Sequence, residues 1–115
     1  MKLPQADALI VEQEKITDYL LNPAHRYGAS KARFFAAFGF RAESWEIFAQ
    51  ALREHGQSHD VTRVIETRFG PRYEVEGELS APDGRYPRVR TVWQLGAGEA
   101  APRLITAYPL EAGHD

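Results

Sequence analysis

Val61-Thr62-Arg63-Val64-Ile65-Glu66-Thr67-Arg68-Phe69-Gly70-Pro71-Arg72-Tyr73-Glu74-Val75-Glu76-Gly77-Glu78-Leu79 decides the fold class, because here the chain turns to a period of two. Val61, Arg63, Ile65, Thr67 and Phe69 alternate with Thr62, Val64, Glu66 and Arg68. After a turn expected at Gly70-Pro71, Tyr73, Val75, Gly77 and Leu79 alternate with Glu74, Glu76 and Glu78. Successive side chains of a strand point to opposite faces, so such alternation describes half-exposed strands. Pro82-Asp83-Gly84 is a further turn signal. Val89, Thr91, Trp93 and Leu95 then predict a third strand, with Arg90, Val92 and Gln94 opposite. A loop at Gly96-Ala97-Gly98-Glu99 leads to a fourth, Arg103 to Tyr108, ended by Pro109. Short connections between alternating strands favour an antiparallel meander.

Upstream of Val61 the period is helical. Ile16, Tyr19 and Leu20 share a face of a short helix from about Gln13 that Pro23 ends. A second helix opens near Ser30 and buries Phe34, Phe35 and Phe38, with Gly39 at its end and Phe40 after it. Trp45, Phe48, Ala49 and Leu52 define a third from about Ala42, which Gly56 is expected to stop. The expected architecture is α+β, with about three N-terminal helices packed on one face of a four-stranded antiparallel sheet. Helices cover only one face, so the other is solvated or binds something.

The chain has 115 residues, enough for one domain. The expected ordered core is about 3–110, with a short polar tail at 111–115. It has no cysteine and a formal net charge of -2. Disulfide and thiolate chemistry are therefore excluded, and a generic nucleic-acid binder, which carries a basic excess, is disfavoured. The start of the chain does not read as a signal peptide, and no stretch approaches a membrane span, so a cytoplasmic site is expected.

Charge is unevenly distributed. His25, Arg26, Lys31 and Arg33 fall together, and no acid occurs between Asp18 and Glu43. Arg85, Arg88 and Arg90 occupy a second acid-free stretch, and Arg103 a third. These could combine into one basic face. His55, His59 and His114 read as surface residues, and Trp45, Trp93 and Tyr73 as core. No Walker loop, dinucleotide fingerprint, nucleophile elbow or metal-binding histidine pattern is present, so neither metal nor cofactor is expected.

What remains is acid–base chemistry on an anion. RNA cleavage needs a base for the ribose 2′-OH, a cation for the phosphorane and an acid for the leaving oxygen. His25 supplies the acid–base type and Lys31 a phosphate partner. Arg90 and Tyr108 from the last two strands complete the candidate catalytic set. Arg26, Arg33, Thr91 and Thr106 are candidate substrate contacts, with Thr91 on the same sheet face only if the register allows. The competing reading is a non-catalytic module that binds protein or nucleic acid on the open sheet face.

The segment Leu21-Asn22-Pro23-x-His25-x-x-Gly28-x-x-Lys31-Ala32-x-Phe34-Phe35, with Gly39-Phe40, resembles the opening motif of a bacterial domain family of unknown function. Arg68-Phe69-Gly70-x-x-Tyr73, Pro82-Asp83-Gly84, Val89-Arg90-Thr91-Val92-Trp93 and Pro102-Arg103-Leu104-Ile105-Thr106-Ala107-Tyr108-Pro109 extend the resemblance over about residues 3–110. Similar segments close contact-dependent and other polymorphic toxins. The last of them is similar to the final strand of the barnase–EndoU–colicin–RelE class of metal-independent RNases. The resemblance implies an RNase toxin fold, with His25 and Lys31 as acid–base and phosphate pair and Arg90, Thr106 and Tyr108 lining the sheet face. It also implies a small antitoxin or immunity protein as partner. Many relatives carry a proline after the motif histidine, where this chain has Arg26.

Overall fold

A computed structural model describes residues 1–110; the expected tail at 111–115 and His114 lie outside them. Strands β1 (Val61–Thr67), β2 (Gly70–Glu78), β3 (Arg88–Gln94) and β4 (Arg103–Pro109) form one antiparallel meander in the order β1-β2-β3-β4. The helices precede it in the chain. Helix α1 starts as Gln13–Lys15 and continues as a π-helical stretch Ile16–Leu20; α2 is Ala29–Ala37; α3 is Trp45–Ser58, entered through the 3-10 turn Ala42–Ser44. The expected α+β class and helix layer are therefore what the chain adopts.

The periodicity fails in two informative places. The first turn lies at Arg68-Phe69 rather than Gly70-Pro71, which open β2. A bulge between Val61 and Arg63 then shifts the phase of β1. Val61 pairs with buried Val75 on the helix-covered face, but Arg63 pairs with Glu74 and Ile65 with Arg72 on the uncovered face. A bulge sets two residues against one, so alternation read straight across it is wrong by one face. A second bulge between Val92 and Trp93 sets Leu104 and Thr106 against neighbouring residues of β3. Leu104 and Ala107 thus enter the core, while Thr106 and Tyr108 lie beside Val92 and Arg90 on the uncovered face. Thr91 pairs with Ala107 and points the other way. It is completely buried, so a ligand on the uncovered face cannot reach it, contrary to the expectation for a substrate contact.

Helix α3 does not stop at Gly56. It passes through to Ser58 because Gly56 is a packing position. A Cβ there would sit 2.9 Å from both Leu9 Cδ1 and Trp93 Cζ2, so only glycine lets the helix lie this close to the sheet. One residue earlier, His55 is 2% exposed, which corrects its expected surface position. Its Nε2 is 3.1 Å from the carbonyls of both Gly77 and Val89 and its Nδ1 is 3.0 Å from Thr91 Oγ1. Carbonyls only accept, so Nε2 carries the proton, and Nδ1 accepts from the Thr91 hydroxyl. The hydroxyl in turn accepts from Trp93 Nε1–H at 2.8 Å. The network is closed and requires neutral imidazole. Burial, aided by the nearby His59, lowers the His55 pKa to about 4.

The unfolded chain takes up this proton near pH 6.5 and the folded one only near pH 4, so stability is complete above the first and lost as pH falls toward the second. The loss attributable to His55 approaches about 3 kcal/mol. Denaturant melts from pH 7 to pH 4 are expected to show it. The His55 ring resonances should stay those of neutral imidazole throughout the upper part of that range.

Candidate active site

The motif around His25 folds as a self-supported loop between α1 and α2. Asn22 Oδ1 accepts from the Ala24 amide at 2.9 Å, and Asn22 Nδ2 donates to the Asp18 carbonyl at 3.2 Å, a side-chain turn that sets the direction of Pro23. His25 Nδ1 accepts from the amides of Tyr27 and Gly28, each at 3.0 Å. The lone pair of Nδ1 is thus committed, and neutral His25 carries its proton on Nε2. Gly28 packs against Tyr19: a Cβ there would lie 2.5 Å from the Tyr19 carbonyl oxygen. Asn22, His25 and Gly28 therefore have structural duties that suffice to place them in the motif.

Those duties hold open a cleft of about 450 Å³ at the edge of β4, lined by Lys15, Tyr19, His25, Tyr27, Ile105 and Thr106. The Tyr19 hydroxyl shares a 2.9 Å hydrogen bond with Thr106 Oγ1, which ties the loop to the sheet. The His25 ring meets Tyr19 edge-on at 4.9 Å between centroids. Lys15 and Lys31 lie over the Tyr19 ring at 5.4 and 5.8 Å, and Lys31 Nζ donates to the Tyr27 carbonyl. Tyr27 is 67% exposed, with Arg26 over its ring. Arg33 is exposed on α2. Among the described residues, Arg26, Lys31 and Arg33 have no carboxylate within salt-bridge distance. A second groove of about 400 Å³, beside α3, is lined by Glu46 and Glu54 and by no cation, and so repels phosphate.

Two residues along β4 from Thr106, about 7 Å at strand spacing, Tyr108 enters a different set of contacts on the uncovered face. Arg90 Nη1 donates to the Tyr108 hydroxyl at 2.9 Å, while its Nε and Nη2 hold the Glu76 carboxylate. Tyr108 first and Glu76 second raise the Arg90 pKa and hold the guanidinium charged. Three of its five N–H groups are committed, which leaves two for a ligand. Glu74 lies beside the same guanidinium, at 3.7 Å from Nε. The structure thus brings His25 and Thr106 into one cleft and Arg90 and Tyr108 into an adjoining network, with Lys31 and Arg26 at the rim. Glu74 and Glu76 join this network although residue type alone does not single them out. The available signal was their alternation on β2, which sets them on the face of Arg90.

The charge distribution allows one basic face, but three of its arginines are paired with acids. Arg90 is held by Glu76, Arg103 by Glu12 and Glu99, and Arg85 by Asp83, while Arg85 also stacks over Phe38 at 4.2 Å. Among the described residues no helix is long and apolar enough to cross a membrane, and no group of three or more His, Asp or Glu could hold a metal ion.

A family profile described as "Domain of unknown function (DUF6883)" matches residues 2–111, nearly the whole chain. The chain belongs to the DUF6883 family. No curated protein matches this DUF6883 domain significantly. Among solved structures it is similar to a chain of the "Contact-dependent growth inhibition toxin - immunity protein complex from Klebsiella pneumoniae 342". The TM-score is 0.72 at 16% sequence identity, over 88% of this chain and 99% of that one. At that identity the likeness establishes a shared fold.

The packing at Gly28 is open to test. Gly28→Ala should lower stability by about 1–3 kcal/mol, since a backbone carbonyl opposes the methyl group. In NMR spectra the displaced loop should shift the resonances of Tyr19, His25 and Thr106.

Proposed function

We propose that this DUF6883 domain is a metal-independent endoribonuclease toxin that cleaves RNA, either tRNA or mRNA, and that a cognate antitoxin or immunity protein neutralises it. The carrying observation is the Arg90–Tyr108 pair on an uncovered sheet face beside an aromatic, cation-rimmed cleft. In this reading the free N–H groups of Arg90 bind the scissile phosphate and stabilise its growing charge. Tyr108 is the general acid: Arg90 donates to its oxygen, so the charge left when the proton departs falls beside a fixed cation. His25 contributes as a hydrogen-bond donor through Nε2–H, because its Nδ1 is held by two amides. Lys31, Arg26 and Arg33 track the backbone and exposed Tyr27 offers a base a stacking surface. The similar chain belongs to a toxin–immunity complex, which supports a toxin- or immunity-type role and a protein partner.

A second reading, a non-catalytic binding module, is favoured by one observation: Glu76 already neutralises Arg90. The two separate cleanly. Under the toxin reading, expression in bacteria arrests growth, and the purified domain degrades RNA in the presence of a metal chelator. His25→Ala or Lys31→Ala relieves the arrest, and Tyr108→Phe slows cleavage by about 10²-fold or more with the fold intact. Tolerated expression together with intact RNA would establish the binding module instead.

A further inference from the structure

The toxin reading supplies a cation and an acid but no base, since His25 holds its proton on Nε2 and its other nitrogen is occupied. We infer that Glu74 is the proton acceptor of this site, an inference that rests on the RNA-cleavage reading. Glu74 projects from the middle of β2 onto the uncovered face, paired with Arg63 of β1 and Val92 of β3. The residue is 9% exposed. Among the described residues its carboxylate takes part in no hydrogen bond, and its one ion pair, to Arg90 Nε, is long at 3.7 Å. A nearly buried carboxylate is ordinarily hydrogen-bonded, as Glu76 is by two nitrogens of Arg90. No side-chain oxygen or nitrogen among the described residues is both sealed and unpartnered. The oxygens of Glu74 therefore remain reachable from the open face, with lone pairs to spare.

The two carboxylates divide the work. Glu76 fixes the Arg90 guanidinium, and Glu74 stays free next to it, within reach of whatever Arg90 binds. In the step, Glu74 takes the proton of a ribose 2′-OH, and the 2′-oxygen forms a bond to the adjacent phosphorus. The bond from phosphorus to the 5′-oxygen breaks, and that oxygen receives the Tyr108 hydroxyl proton. The products are a 2′,3′-cyclic phosphate and a 5′-hydroxyl, and proton exchange with water restores Glu74 and Tyr108.

The test uses the full chain, a mixed-sequence single-stranded RNA and a metal chelator. Glu74→Gln is nearly isosteric and should cut kcat by about 10²–10⁴-fold with KM little changed. It should also abolish the acidic limb of the kcat/KM profile, which a structural role would not do. Glu74→Asp should retain that limb at reduced rate, and it decides the matter if the glutamine variant does not fold. Replacing the RNA by its 2′-deoxy counterpart should abolish cleavage. A wild-type enzyme that cleaves, with either folded variant matching both its rate and its acidic limb, overturns the role of Glu74 and leaves the RNase reading standing. A wild-type protein that leaves RNA intact overturns both.

Discussion

The docking of α3 through His55 is the constraint from which the remaining geometry follows. One imidazole bridges the carbonyls of Gly77 on β2 and Val89 on β3, while Thr91 and Trp93 close the network from β3. Gly56 allows the close approach that these bonds require. Because the network lies between the helix and the middle strands, the helix layer is committed to one side of the sheet. Among the described residues no helix lies over the other side, where Glu74, Glu76, Arg90 and Tyr108 are neighbours across the ladder. Neutral His55 is part of the cost, since a charged ring cannot accept from Thr91.

On the uncovered side, electrostatics replaces packing. Cross-strand neighbours on an antiparallel sheet lie within about 5.5 Å, so alternating Glu on β2 and Arg on β3 must meet. Arg90 therefore arrives paired rather than free, and its bond to Tyr108 extends the network to β4. The motif loop has the opposite character. Arg26, Lys31 and Arg33 have no carboxylate within salt-bridge distance among the described residues, and Arg26 packs over Tyr27 and Lys31 over Tyr19. A polyanion meets uncompensated charge at the cleft rim and compensated charge at the centre. In the proposed RNase that division separates attraction from chemistry: the rim would draw the backbone in, and the network would hold fixed groups in place for the reacting atoms.

Much of this was legible from residue order. The alternation over Tyr73 to Leu79 and Val89 to Leu95 placed the middle strands, where both neighbours are present and no bulge intervenes. The outer strands are harder, because the extra residues Thr62 on β1 and Ile105 on β4 change the face of everything beyond them and leave no mark in composition. That is why Thr91 was grouped with Thr106 and Tyr108. Glycine breaks isolated helices, so Gly56 predicts a stop, whereas here tertiary contact with Leu9 and Trp93 prevails over propensity. No local pattern marks His55 for burial, because the two strand carbonyls that meet it lie 22 and 34 residues away.

The candidate site was legible in part, and the parts that were not have one cause. His25, Arg90, Tyr108 and Thr106 stood out as residue types, but a residue type does not state which atoms are already engaged. Two backbone amides on Nδ1 change His25 from a base into a donor. Conversely, Glu74 looked like one of three solvated acids on an exposed strand face. In the fold it is the one that is nearly buried and unbonded, because Arg90 is drawn to Glu76. A strand that repeats the same residue three times still gives each copy a different neighbour: Arg88 faces Glu78, Arg90 faces Glu76 and Val92 faces Glu74. Glu74 meets apolar Val92 on β3 and Arg63 on β1, no Arg63 ion pair forms to its carboxylate among the described residues, and its one ion pair is the long contact to Arg90, which leaves its oxygens without a hydrogen bond.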